Sequence, residues 1–371
     1  MPTQEQVHDV LAQVIDPEID KPITELGMVE EVAVQDDVVG VKVKLTIPGC
    51  PMKDRIERDV TSAVMQLDGV KSVQVAFGSM TDEERQNLSA DLRAEKGAGN
   101  PEMDIAFAKP DSKTQVVAIA SGKGGVGKSS VTVNLAVSLT QQGYNVGVLD
   151  ADIWGYSIPR MLGAEGKPVA FEGMVMPLQA HGCKIISIGF FTDPDRSVIW
   201  RGPMLHRALQ QFLADVYWGE LDFLLCDLPP GTGDIAISLA QMLPNADMLV
   251  VTTPQQAAQK VALRAGKATE QTGMKVAGVI ENMANFTCPD CGSSHELFGR
   301  GGGEELAEAL DTQLLGRIPI DPRVMEGSDA GTPLIVSHPD APASVAMRSV
   351  AEQLAARQRS VLGRPLPLSV S

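Results

Sequence analysis

Residues 115–139 read QVVAIASGKGGVGKSSVTVNLAVSL, and this stretch decides the fold. The run 116–120 is apolar throughout, the mark of a strand buried on both faces, and 131–139 continues as a helical run. Between them, Gly122-Lys123-Gly124-Gly125-Val126-Gly127-Lys128-Ser129 fits G-x-x-x-x-G-K-[ST], so strand, motif and helix coincide. Glycines let successive backbone N–H groups turn inward around phosphate oxygens at a helix N-terminus, where the dipole also favours anions. The expected nucleotide-binding set is therefore Gly122, Lys123, Gly124, Gly125, Val126, Gly127, Lys128, Ser129 and Ser130, with ATP as the ligand. Lys128 is expected to reach the β- and γ-phosphates and the Ser129 hydroxyl to hold Mg²⁺.

Outward from the loop, short apolar runs recur between helical stretches at 145–149, 184–188, 223–226, 248–251, 276–280 and 313–318. That alternation predicts an α/β domain, a mostly parallel sheet covered by helices on both faces, over residues 115–363. Residues 1–80 read differently. Val7, Val10, Leu11 and Val14 share a helix face, and Val32 to Leu45 alternates at period two around Gln35-Asp36-Asp37. A second helix through Ile56, Val60, Val64 and Leu67 and a third alternating run at 70–77 complete a small α+β (α-β-β-α-β) domain. Residues 81–114, charged and broken by Gly97, Gly99, Pro101 and Pro110, read as a flexible linker. A last helix is expected over 342–361, with 364–371 as a loose tail.

Composition narrows the function. Thirty-one lysines and arginines against 47 acids leave a net charge of −16, which repels phosphate backbones, and aromatics at 4% leave few rings to stack bases. Nucleic acid is not expected as a partner. The first residues lack a secretory signal and no stretch approaches a membrane span, so a cytoplasmic protein without a membrane partner is expected. Five cysteines are too few, and odd in number, for a disulfide framework, which points paired cysteines toward metal or redox chemistry.

Two acids follow strands, as ligands of parallel sheets do. The run 146–149 ends in Asp150-Ala151-Asp152, and 223–226 ends in Asp227 before the glycine- and proline-rich Leu228 to Asp234, which reads as a switch loop. Asp227 has the Walker B position and is expected to order the Mg²⁺ shell through water; Asp152 fits either an attacking water or a water-mediated Mg²⁺ contact. Either acid alone also fits a helix cap. Cys288-Pro289-Asp290-Cys291 puts two thiolates on one tight turn, and a two-fold axis would bring two more. An iron–sulfur cluster, a zinc-bridged dimer and a thioredoxin-like redox pair all fit two such thiols, and His295 nearby reads as a ligand or a surface histidine.

Lys123 inside the loop makes it resemble the deviant signature K-G-G-x-G-K-[ST] of the MinD, ParA and nitrogenase iron protein class. The chain as a whole resembles the Mrp/ApbC family of ATP-binding iron–sulfur cluster carriers. The likeness runs through Gly122 to Ser129, Asp150-Ala151-Asp152-Ile153 with Ser157-Ile158-Pro159, Trp200 to Met204, Asp227 to Asp234, Glu281-Asn282-Met283, Cys288 to Cys291 and Phe298-Gly299. It departs at Tyr156, where many relatives have proline. The first domain looks like the metal–sulfur cluster assembly domain, through Asp16-Pro17-Glu18, Leu26-Gly27-Met28 and Thr46 to Pro51.

The resemblance implies a homodimer that holds a [4Fe-4S] cluster on the shared Cys288 and Cys291, transfers it to apo iron–sulfur proteins, meets assembly scaffolds, and hydrolyses ATP slowly. It also implies that Lys123 reaches across the dimer, with Lys128 and Asp152 catalytic, Asp152 orienting the attacking water and Asn282 pairing with adenine; Asn282 alone reads equally as a turn residue. Cys50 fits transient capture of iron or a small residue at a helix entrance. A spatial-organisation ATPase of the MinD or ParA kind is the competing reading; it needs a basic amphipathic terminal helix or a basic surface, whereas Arg364-Pro365-Leu366-Pro367-Leu368 is interrupted by prolines and the net charge is −16.

Overall fold

The computed structural model describes residues 2–357 apart from 18, 20, 47–51, 96–104, 110, 154, 192–201, 232–233, 271–273 and 289. Cys50, Trp200, Arg201, Thr232, Gly233, Pro289 and the expected tail 364–371 lie outside the described residues. In chain order the elements are α1 (Gln4–Leu11), β1 (Val29–Gln35), β2 (Val38–Leu45), α2 (Lys53–Val64), β3 (Ser72–Ser79), α3 (Asp82–Glu95), β4 (Gln115–Ser121), α4 (Lys128–Gln141), β5 (Val146–Asp150), α5 (Ile158–Met161), β6 (Val169–Phe171), β7 (Met174–Met176), β8 (Leu178–Ala180) and β9 (Cys183–Ser187). They continue with α6 (Gly202–Ala214), β10 (Phe223–Asp227), α7 (Asp234–Met242), β11 (Asp247–Thr252), α8 (Gln256–Glu270), β12 (Lys275–Thr287), β13 (Ser294–His295), α9 (Gly302–Ala309), β14 (Leu314–Ile320), α10 (Arg323–Asp329), α11 (Leu334–Ser337) and α12 (Pro342–Ala356). No helix among the described residues is long and apolar enough to cross a membrane.

The chain divides into two units. The first joins Met1–Asp104 to two later stretches, Val169–Pro177 and Asp215–Gly219. Its sheet has the order β1-β2-β3, antiparallel then parallel, and alternates as the sequence does: Val39, Val41, Val43 and Leu45 of β2 are buried. Val7 and Leu11 of α1 and Ile56, Val60 and Val64 of α2 share the same core. Thr3 closes a capping box with Gln6, which fixes the start of α1.

Two expectations change here. The stretch 81–114, read as a flexible linker, contains the 14-residue helix α3 and a 3₁₀ turn at Ala106–Ala108. Leu88 and Leu92, four residues apart, both enter the first unit's core, and Glu84 pairs with Lys44; one pair of leucines among many charges leaves little periodic signal. The hairpin β6–β7 also belongs to this unit, through Phe171, Met174 and Met176, as does Tyr217, whereas the sequence placed both inside 115–363. Strands of three residues are too short to show a period.

In the second unit the sheet runs β13-β12-β11-β4-β10-β5-β9-β8, with β14 beside β12. Its inner pairs are parallel; β8 and β13 add antiparallel edges. β4, β5, β9 and β10 are buried at every residue, as strands sandwiched between helices must be. Helix α4 is buried from Val131 to Leu139, threading the layer between the sheet and α12. The last helix ends at Ala356, shorter than expected. The register aligns Asp227 with both Ile119 and Asp150, so the carboxyl ends of β4, β5 and β10 arrive together, and that is where the loop lies.

Candidate functional site

β4 ends at Ser121 and α4 starts at Lys128, leaving the loop between them. Gly125 and Gly127 take left-handed φ of 78° and 80°, which only glycine adopts without penalty. Gly122 has a different reason to be glycine. A Cβ there would lie 2.2 Å from the Ala262 backbone nitrogen and 2.5 Å from the Val261 carbonyl carbon, so α8 abuts the loop.

A cluster of polar groups lies beneath the loop. The Lys128 Nζ is 2.7 Å from Asp227 Oδ2, the Ser129 hydroxyl donates to the same oxygen at 2.6 Å, and the Thr132 hydroxyl donates to Oδ1 at 2.8 Å. Asp227 is fully buried, so these donors replace the water it has lost. Asp150, equally buried, faces it across the β5–β10 register. Burial, and after it the charge of Asp227, pushes the Asp150 carboxyl up to about 7, against the pull of the Ser187 hydroxyl 3.0 Å away. Asp150 also accepts from the Asp152 N–H at 3.2 Å and the Ile158 N–H at 3.4 Å, tying β5 to the segment that carries Asp152.

Asp152 lines the cleft over the loop, about 220 Å³ in volume, together with Gly124 to Ser130 and Pro230. Its Oδ1 accepts from the Gly155 N–H at 3.1 Å. Lys123 extends to Gln255 Oε1 at 2.8 Å on the same chain. Asn282 is not in a turn: it sits within β12, paired with Ile318, and its side-chain amide donates to the Val126 carbonyl at 2.9 Å. A Cβ at Gly127 would lie 2.2 Å from that amide nitrogen, so glycine there serves the contact as well as the turn.

Cys288 and Cys291 occupy the connection from β12 to β13, closed by Phe286↔His295 and Thr287↔Ser294 pairing. The Cys288 carbonyl accepts from the Gly292 N–H and its N–H donates to the Ser293 carbonyl, both at 2.9 Å, with Gly292 at φ 72°. Cys291 is exposed, its sulfur 3.0 Å from the Ser293 hydroxyl, which is 2.9 Å from His295 Nε2. That hydroxyl, the Ser293 backbone and the Cys288 thiol together hold the Cys291 thiol below its ordinary range. Cys183 and Cys226 behave oppositely: burial pushes Cys183 up to about 11 and Cys226 higher still, leaving both inert. Among the described residues no three His, Cys, Asp or Glu side chains gather to hold a metal, so the pair offers two sulfur ligands on one chain.

Thr132, Ser187 and Gln255 were not evident as site residues beforehand. Thr132 had a signal, since it stands four residues after Lys128 on one face of α4. Ser187 and Gln255 had none, because their partners lie 37 and 132 residues away.

Residues 112–355 match the family described as NUBPL iron-transfer P-loop NTPase, and residues 4–77 match the iron-sulfur cluster assembly protein family. The chain is 51% identical over 369 residues to the iron-sulfur cluster carrier protein of Mycobacterium bovis, covering 98% of this chain and 96% of that one. It is 44% identical to the iron-sulfur cluster carrier protein of Deinococcus radiodurans, covering 96% and 97% of the two chains. Among solved structures it is similar to the nucleotide-binding protein of Archaeoglobus fulgidus in complex with ADP, with a TM-score of 0.52 at 40% identity, over 58% of this chain and 86% of that one. With a phosphate-binding loop, a cysteine hairpin and an N-terminal assembly domain on one polypeptide, the chain belongs to the iron–sulfur cluster carrier family of ParA-type P-loop NTPases.

Proposed function

We propose that this protein binds and slowly hydrolyses ATP, holds a [4Fe-4S] cluster between the Cys288 and Cys291 pairs of two copies, and hands that cluster to apo iron–sulfur proteins. One observation carries the reading: a thiol pair, Cys288 half-buried and Cys291 exposed and biased toward thiolate, stands just beyond the strand whose Asn282 bonds to the phosphate-binding loop. The similar proteins named as cluster carriers, and the ADP of the Archaeoglobus relative, support the cargo and the nucleotide.

On this reading the cluster is cargo. Two thiolates per chain leave a four-iron cluster half-ligated, and a two-fold partner completes it without any further motif. Thiolate formation must precede ligation, and the Ser293 hydroxyl beside Cys291 favours it. The resident cation would be Mg²⁺. The hydroxyl of Ser129 and the carboxylate of Asp227, hard oxygen donors 2.6 Å apart, fit it, Asp227 acting through water. Bound there, Mg²⁺ would neutralise charge on the phosphates.

The chain's own residues divide the remaining work. Backbone N–H groups from Gly122 to Ser130 cradle the phosphates, and Lys128 exchanges its Asp227 partner for phosphate oxygens. Asp152, in the wall of the cleft, orients the attacking water. Lys123 leaves Gln255 to reach the partner's phosphates, and Asn282, its amide nitrogen engaged by Val126, offers its oxygen to the adenine amino group. Cys50 and the first domain serve capture from scaffolds. We place this activity in the cytoplasm, with neither nucleic acid nor membrane as partner.

Anaerobic reconstitution with iron and sulfide tests the proposal. About four irons per two chains, a four-iron Mössbauer signature, and loss of both in Cys288→Ala and Cys291→Ala are expected. Stoichiometric zinc in place of iron, or a monomer that retains its full iron content, would overturn it.

A further inference from the structure

β12 connects the two halves of the site. Asn282 bonds to the loop at Val126, and six residues later stands Cys288, a span of about 20 Å along an extended strand. The inner part of β12 is firmly held. It pairs with β11 up to Thr252↔Glu281, and the buried Glu281 carboxylate accepts from the Gly303 N–H at 2.5 Å and lies 3.3 Å from Arg317 Nε.

Beyond Asn282 the ladder breaks. Asn282 pairs with Ile318, but the next pair is Phe286 with Ile320, so four steps on β12 answer two on β14. Met283, inside this bulge, has φ 57°, a left-handed backbone that an L-residue with a long side chain rarely adopts and that persists only where its surroundings impose it. The loop lies against it: a Cβ on Gly127 would sit 2.2 Å from Asn282 Nδ2 and 3.7 Å from Met283 Cε. At the outer end of the bulge, Asn285 donates to the Ser294 hydroxyl at 3.1 Å, at the base of the cysteine hairpin.

We infer that Met283 is a positioning residue, its left-handed backbone the joint through which occupancy of the phosphate-binding loop sets the placement of the Cys288–Cys291 hairpin. The inference rests on the nucleotide reading given above. A ligand that shifts Val126 or Gly127 displaces Asn282 and Met283 together, and because Glu281 is clamped, the displacement passes outward along the hairpin rather than inward into the sheet.

The test uses the full-length, reduced, iron-free protein. Alkylation rates of Cys288 and Cys291 by iodoacetamide are measured by mass spectrometry with and without saturating MgADP, which fills the loop without a γ-phosphate, while a parallel titration follows MgADP binding. In the unsubstituted protein the two rates should differ about fivefold or more, the lower end of ordinary coupling between sites. Met283→Gly, whose backbone accepts this φ freely, should bind MgADP within about twofold of that protein, yet its rate ratio should fall to near one. Met283→Asn, a residue that tolerates the left-handed region, should restore the ratio. Equal rates in the unsubstituted protein at saturation, an unchanged ratio in Met283→Gly, or its loss in Met283→Asn would overturn the inference. Absence of saturable MgADP binding would remove the nucleotide reading itself, and the joint with it.

Discussion

Three glycines of one loop should respond differently to the same added methyl group. At Gly122 the new Cβ meets backbone, the Ala262 nitrogen at 2.2 Å and the Ala262 Cα at 2.7 Å, and no rotamer of any side chain relieves it. Ordinary contact begins near 3.4 Å, so α8 or the loop must retreat by more than an ångström. Overpacking of that kind costs about 3 kcal/mol, which for a unit of this size lowers the melting temperature by roughly 6–12 °C. Gly125→Ala meets nothing within 4 Å but carries φ 78°, so only the left-handed penalty of about 1 kcal/mol applies. Gly124→Ala, with Pro230 Cγ at 3.9 Å and no positive φ, should stay within about 0.5 kcal/mol.

Calorimetry of the nucleotide-free variants reads this order directly, and the nucleotide-free state keeps phosphate contacts out of the comparison. The reasoning needs the ranking Gly122→Ala below Gly125→Ala below Gly124→Ala in melting temperature. Equal melting of the first and third would mean that α8 does not press on the loop. Gly125→Ala as the least stable would mean that backbone conformation, not the approach of α8, dominates here.

Lys128→Ala leaves the buried Asp227 without its cation and should cost about 3 kcal/mol in urea unfolding at pH 8, as well as nucleotide affinity; a smaller loss at pH 6, where the neighbouring Asp150 takes a proton and no longer repels it, is part of the expectation. Asp150 titrates near 7 in the folded chain but near the ordinary aspartate value when unfolded, so the folded state binds more protons between them and stability falls as pH rises through that window. Asp150→Asn should therefore flatten the decline in melting temperature from about pH 5 to 8, and an unchanged slope would assign the decline to other groups. Ser293→Ala removes the hydroxyl that favours the Cys291 thiolate, so the thiol should titrate higher and alkylate more slowly at neutral pH; identical titration curves would disprove that cause.

What the sequence revealed was local chemistry. The apolar run 116–120, the glycines after it and the acids ending β5 and β10 announce a nucleotide-binding sheet because a strand's burial and a loop's turn depend on neighbours a few residues away. Cysteines three residues apart announce a ligand pair for the same reason. Hidden were the contacts made across the fold: Ala262 against Gly122, Gln255 on Lys123, Ser187 on Asp150, Asn282 on Val126. Each joins residues 37 to 156 positions apart, and a serine, a glutamine or an asparagine looks the same in sequence whether it faces water or a loop.

Met283 is different in kind. Apart from Asn282, which also suits a turn, nothing in Glu281-Asn282-Met283 departs from an ordinary strand, yet at Met283 the backbone breaks the strand's own rule, which a periodic pattern cannot signal. Sequences agree with their folds at every level except where something besides stability is selected. That the disagreement falls between the residue that touches the phosphate-binding loop and the cysteines, and not in any of the strands that merely build the sheet, is the reason to look for coupling at this point first.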